Sequence, residues 1–206
     1  MKGQILAKSE QAANKADEII QVASRLFSEK GYSATSLQEI ANLVGLHKTS
    51  LFHYFENKES ILMGVMDKPI KKHLNFLDDI VDNPNLNARE KLKQALKMQV
   101  QVTCEYREHI NVWLTEIRSL SLQNRGIYNR KRKEYELRFE KIVKEVQADK
   151  ETSLFKGVDP KVATLAILGM SNWLLKWYHP AGRLTPEEIF DAFYRVISQG
   201  NSIPKR

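Results

Sequence analysis

The sequence predicts an all-α fold of about nine helices, on three observations. Apolar residues recur at three- and four-residue steps along most of the chain. Capping residues, glycines and prolines fall at the ends of those periodic runs. Beyond the first sixty residues, no alternation of Val, Ile and Thr is long enough to build a sheet. At 206 residues and 42% hydrophobic composition, the chain can bury the core of one helical domain, or of a small head and a larger body.

The most informative segment runs from Thr35 to Ile61. Thr35 or Ser36 can accept the orphan donors of a helix, with Gln38 or Glu39 closing a capping box, so a helix begins near Ser36. Leu37, Ile40, Ala41 and Val44 form its apolar face, and Ala41 is small enough to let a second helix cross closely. Gly45 ends it, because glycine takes a left-handed conformation without steric cost, and Leu46 plugs the corner. A second helix is expected from about His47 to Phe55, with Leu51 and Phe55 inward. At ~100° per residue, Thr49 and His53 then point outward, flanked by Lys48 and Ser50, with no acid before Glu56. Such a face can enter a major groove without repelling phosphate. Asn57 caps a third helix, and Lys58 sets a cation at its start, where a phosphate could dock. Two short helices around a tight turn, followed by a capped third, make a helix-turn-helix DNA reader.

Through residues 16–64 the chain resembles the TetR family of bacterial transcriptional regulators. The resemblance rests on Ala23 and Phe27 of a first helix, the Gly31-Tyr32 break, the Thr35-Ser36 cap, Ile40-Ala41, the Gly45 turn and the Leu51–Lys58 stretch. It implies a dimer with a three-helix DNA-binding head (1–60) and a helical ligand-binding and dimerisation body (61–206). It also implies DNA contacts at Thr35, Ser36 and Gln38, at Lys48, Thr49, Ser50, Phe52, His53 and Tyr54, and at Lys58. The family usually carries tyrosine where this chain has Phe52 and often histidine where it has Tyr54. The phosphate-binding hydroxyl expected at the first position is therefore missing.

After the third helix, Lys58 to about Val81, the run DNPNLN is a break. Helices follow from Ala88 to about Tyr106, from Ile110 to Ser119, and from Asn124 to Ala148, the last with Tyr128, Tyr135, Phe139, Ile142 and Val146 on one stripe. Arg130, Lys131, Lys133, Lys141 and Lys144 occupy its other side, a solvated face or one that meets an anionic ligand tail. The last two helices, from about Asp159 to Tyr178 and from Pro186 to Ser198, each have proline in the first turn. Val162, Ala166, Gly169, Trp173 and Trp177 line one side of the first; Ile189, Phe190, Phe193, Val196 and Ile197 spread too widely around the second for a single buried stripe. They either fill the subunit's own core or pair two subunits, and pairing is the favoured expectation.

The net charge of +7 sits away from the head: residues 1–60 hold seven Lys/Arg and seven Asp/Glu, residues 125–206 sixteen and ten. DNA attraction must come from local placement of Lys48 and Lys58, with Lys2, Lys8 and Lys15 as further candidates. For a small-molecule effector, the mixed aromatic and polar candidates are Tyr106, Trp113, Arg118, Asn172, Trp173 and Tyr178. The stretch SNWLLKWYHPAGRLTPEEI resembles TetR-like regulators that respond to acyl-CoA thioesters, which implies an acyl-CoA or fatty-acid effector whose phosphates meet Arg118 or Arg130.

No run of ~18 apolar residues and no signal-peptide core are present, so a cytoplasmic protein without a membrane partner is expected. A lone cysteine, Cys104, precludes an internal disulfide and a cysteine-rich zinc site. The chain has no glycine-rich phosphate loop and no Gly-x-Ser-x-Gly elbow, and its five histidines lack metal-type spacing; no catalytic residue, metal or cofactor is expected. The remaining alternative is an apolar-ligand carrier with a vestigial DNA head.

Overall fold

Side-chain caps and glycine turns set most of the element boundaries. The structure, a computed structural model, describes residues 2–150 and 154–199, with side chains described for 10–150 and 154–198. Among these residues there are ten α-helices and no strand. The helices are α1 (Lys2–Lys30), α2 (Leu37–Leu43), α3 (Lys48–Leu51), α4 (Lys58–Val81), α5 (Ala88–Glu105), α6 (Arg107–Glu116), α7 (Leu122–Ala148), α8 (Pro160–Asn172), α9 (Leu174–Trp177) and α10 (Pro186–Gln199). A 3-10 turn over Ile117–Ser119 follows α6.

Side chains cap several of the later helices. Asn87 opens α5 with a full capping box, its side chain accepting from the Glu90 amide while Glu90 reaches back to the Asn87 amide. Asp159 caps α8 ahead of Pro160, and Thr185 and Glu188 cap α10 reciprocally. The single helix expected over 159–178 is divided at Trp173, whose backbone nevertheless stays right-handed helical. The helix expected to end at Ser119 closes its last turn as a 3-10 turn.

The chain divides into two compact units, residues 1–68 with 108–128, and residues 69–107 with 129–206. In the first, α1, α2, α3 and the start of α4 surround Ile19, Phe27, Ile40, Leu51 and Leu62, all buried. Residues from α6 onward join them: Asn111 donates to the Ser28 hydroxyl at 2.9 Å, and Glu116 Oε1 accepts from the Tyr32 amide at 3.1 Å. Glu59 Oε1 accepts from the Ser121 amide at 2.7 Å and from the Asn124 side chain at 2.8 Å. Those two bonds hold the Glu59 carboxyl below the usual carboxylate range.

In the second unit α5 packs against α8 and α10. Tyr135, Phe139, Ile142 and Val146 of α7 are buried, as the spacing required. A polar cluster lies among them: the Tyr135 hydroxyl donates to Gln99 Oε1, Thr103 donates to the Gln99 carbonyl at 2.8 Å, and the His73 ring lies 4.9 Å from that of Tyr135. Burial pushes His73 down to about 3, reinforced by Lys72 and Arg132. Lys91 is also buried; its ammonium bonds the Val81 carbonyl at the end of α4 and pairs with Glu145 at 2.9 Å. On the outer side of α7, Lys141 pairs with Asp82 and Lys144 with Glu140.

Candidate nucleic-acid interface

The turn that presents the candidate recognition segment is a Schellman motif. Gly45 has φ of +66°, its amide donates to the Asn42 carbonyl at 3.2 Å, and the Leu46 amide donates to the Ala41 carbonyl at 2.9 Å. Upstream, Ser36 caps α2 by accepting from the Glu39 amide at 3.1 Å. The Glu39 carboxylate pairs with Lys30, which lowers its pKa. Gln38 donates to Asn42 Oδ1 at 2.8 Å, on the exposed side of the helix.

The recognition segment departs from the helix expected over 47–55. Only Lys48–Leu51 is α-helical. The amides of Phe52, His53 and Tyr54 then donate to carbonyls three residues back, a tighter coil than an α-helix, and that of Phe55 donates to Leu51 at 2.9 Å. Leu51 is buried and Tyr54 and Phe55 are half-buried, while Lys48, Thr49, Phe52 and His53 are exposed and Ser50 is half-exposed.

Two of the expected DNA contacts are used inside the head. Thr35 is 2% exposed and its hydroxyl donates to the Gly31 carbonyl at 2.9 Å, so it fixes the turn between α1 and α2 and does not face outward. The Lys58 ammonium bonds the Tyr32 carbonyl and lies 4.2 Å from the centre of the Tyr32 ring; burial lowers its pKa. Sequence spacing could not show this, because Tyr32 lies 26 residues earlier. Lys15 likewise pairs with Glu18 at 2.6 Å and Lys68 with Asp17 at 3.3 Å. Lys48 is exposed and enters none of the described ion pairs, so it is the cation this segment offers to a polyanion. The side chains of Lys2 and Lys8 lie outside the described ones.

Residues 19–64 match the family model described as bacterial regulatory proteins, tetR family, and residues 85–200 match that described as tetracyclin repressor-like, C-terminal domain. The chain belongs to the TetR family. The HTH-type transcriptional repressor KstR2 of Rhodococcus jostii (strain RHA1) is 24% identical over 196 residues, covering 91% of each chain. The TetR family regulator PfmR from Thermus thermophilus matches in structure with a TM-score of 0.78 and 30% identity over 91% of this chain and 99% of its own. AibR, solved in complex with isovaleryl coenzyme A and operator DNA, matches with a TM-score of 0.75 and 28% identity over 89% and 98%.

TetR-family membership makes the protein a helix-turn-helix DNA-binding regulator, with operator DNA as its partner. No described helix is long and apolar enough to cross a membrane. The effector candidates are divided between the two units. Trp113 and Arg118 belong to the first unit, while Tyr106, Asn172, Trp173 and Tyr178 belong to the second. Tyr178 is buried and lines a cleft of ≈ 720 Å³ with Lys72, Gln101, Cys104, Glu105 and Glu187. Arg107 stands 5.8 Å from the Tyr178 ring, and burial pushes the Cys104 thiol up to about 11. Tyr106 is half-buried beneath the Lys72 ammonium, 5.1 Å from its ring. Asn172 is half-buried at the end of α8, Arg118 is exposed, and Trp173 is 64% exposed.

Proposed function

We propose that the protein is a dimeric repressor that occludes a near-palindromic operator in the cytoplasm and is released by a small apolar or acyl-CoA-type effector. Residues 1–60 serve as the DNA-binding head, and 61–206 as the ligand-binding and dimerisation body. The observation that carries DNA reading is the exposed turn from Lys48 to His53: its cation is uncommitted while Lys15, Lys30, Lys58 and Lys68 are each engaged. Ser36, Gln38, Thr49, Ser50 and Tyr54 complete the proposed footprint.

Pairing is supported by α8. Val162, Leu165, Ala166, Gly169 and Trp173 are all exposed, at spacings of three and four that make one continuous stripe. A methyl group added at Gly169 would meet no atom within 4 Å, which leaves room for a second helix to approach closely. A stripe of this kind left in water is unusual for a monomer, and a second copy would cover it. Two-fold pairing would set two recognition turns on successive major grooves, roughly 34 to 36 Å apart.

One structural relative supports the effector class: AibR, solved in complex with isovaleryl coenzyme A and operator DNA. The cleft beside Tyr178 is the proposed acyl site. The switch is a population shift, by which an effector that prefers heads misplaced for DNA withdraws the dimer from its operator, with α4 as the lever. The test is a gel-shift with the upstream region of its own gene, titrated with isovaleryl-CoA, a long-chain acyl-CoA, free fatty acid and CoA. Retardation that weakens steeply with salt and is reversed by acyl-CoA but not by CoA alone is the expected result. Ligand binding by a protein that retards no duplex would replace this reading with the carrier.

A further inference from the structure

The tight coil after α3 arranges the outer side chains in a way that a regular helix would not. The amides of Phe52, His53 and Tyr54 donate to the carbonyls of Thr49, Ser50 and Leu51 at 3.3, 3.2 and 2.9 Å. In that geometry, side chains three residues apart eclipse one another. Three columns result: Leu51 with Tyr54, Ser50 with His53, and Thr49 with Phe52. Burial follows the columns. In the first column Leu51 is buried and Tyr54 half-buried, the Ser50–His53 column is partly open, and both members of the Thr49–Phe52 column are exposed, Phe52 by 50%. A continuous α-helix would have offset Phe52 from Thr49 by about 60° and set His53 beside Thr49 as well.

We propose that the Thr49–Phe52 column reads thymine C5-methyl groups in the major groove, giving each half-site a requirement for thymine at one or two fixed positions. The inference rests on the operator-binding reading and adds the base class to it. A phenyl ring offers no hydrogen-bond donor or acceptor, so Phe52 can bind neither a phosphate oxygen nor a base edge by hydrogen bonding. The apolar group on a base pair in the major groove is the thymine methyl, which phenyl and threonine methyl groups contact well. The surroundings favour duplex DNA as the occupant: from His47 to Phe55 the segment carries no carboxylate, and Lys48, four residues before Phe52, is uncommitted. The Ser50–His53 column supplies the polar groups for base edges, and Lys48 meets the backbone.

The experiment selects operators from a random duplex pool with the full-length protein, then replaces each thymine in turn with deoxyuridine, which deletes only the methyl group. One or two positions per half-site should lose affinity about fourfold each, the change that burying one methyl-sized group corresponds to. The remaining positions should be indifferent. Phe52→Ala should bind more weakly and no longer distinguish thymine from deoxyuridine at those positions, with an unchanged thermal melt because the ring is half in solvent. Equal affinity of the wild type for every deoxyuridine duplex, or an unaltered uridine pattern in Phe52→Ala, overturns the proposal. If no duplex is selected at all, the operator-binding reading itself fails.

Discussion

Acid should destabilise this protein well before its carboxylates titrate, and His73 is the principal reason in the second unit. The imidazole is buried against Tyr135, and its pKa is held at about 3, with Lys72 and Arg132 opposing a further charge. In the unfolded chain it titrates near 6.5. Above pH 6.5 both states are neutral, and the group contributes nothing to the pH dependence. Below it the unfolded chain takes up a proton that the folded protein refuses until about pH 3, so stability falls with acid across that window. At pH 5 the gap from the unfolded pKa is about 1.5 units, which at ~1.4 kcal/mol per unit amounts to roughly 2 kcal/mol. His109 in the first unit, held at about 4 by burial and Lys68 against the opposing pull of Asp17, adds a similar amount. Carboxylates with lowered pKa values, such as Glu59, lose their contribution only below the ordinary carboxylate range, so the interval between pH 6.5 and 5 isolates the histidines. Urea unfolding at pH 7.5, 6 and 5 measures the slope, and His73→Phe, which keeps a flat ring against Tyr135, should remove about half of it. Identical slopes for wild type and variant, or a folded-state imidazole titrating near 6.5 by NMR, would refute the argument.

Two other substitutions separate roles that look alike in the sequence. Lys48→Ala should weaken operator binding across sequences and make its salt dependence shallower by about 0.9 for each phosphate no longer neutralised, whereas Lys58→Ala should leave that slope alone and lower the melting temperature through Tyr32. Leu165→Asp places a charge on the exposed α8 stripe; light scattering should then report a monomer that no longer binds operator, and an intact dimer would show that the stripe is not the interface.

Local features were legible, and distant partners were not. Ser36, Asn57 and Gly45 declare helix ends through bonds to backbone a few residues away, so their roles could be read directly. The stripe through Tyr135, Phe139 and Ile142 was legible for the same reason. The length of α3 was not, because Phe55 sits at the α-helical spacing from Leu51 whether or not the intervening amides tighten. Thr35 and Lys58 carry side chains suited to phosphate, and only the folded head reveals that the Gly31 and Tyr32 carbonyls already occupy them. The effector candidates rest on residue type, and type does not say which unit a side chain belongs to.

The bond from the Tyr32 amide to Glu116 joins positions 84 residues apart in the chain. It means that the reader of DNA is not a detachable module. Residues 1–68 alone would lack the carboxylate that satisfies the Tyr32 amide and the segment that anchors Glu59, leaving the approach to α2 slack. Any exchange of heads between relatives must therefore bring along the stretch from 108 to 128, so this portion of the chain inherits its operator and its strap together.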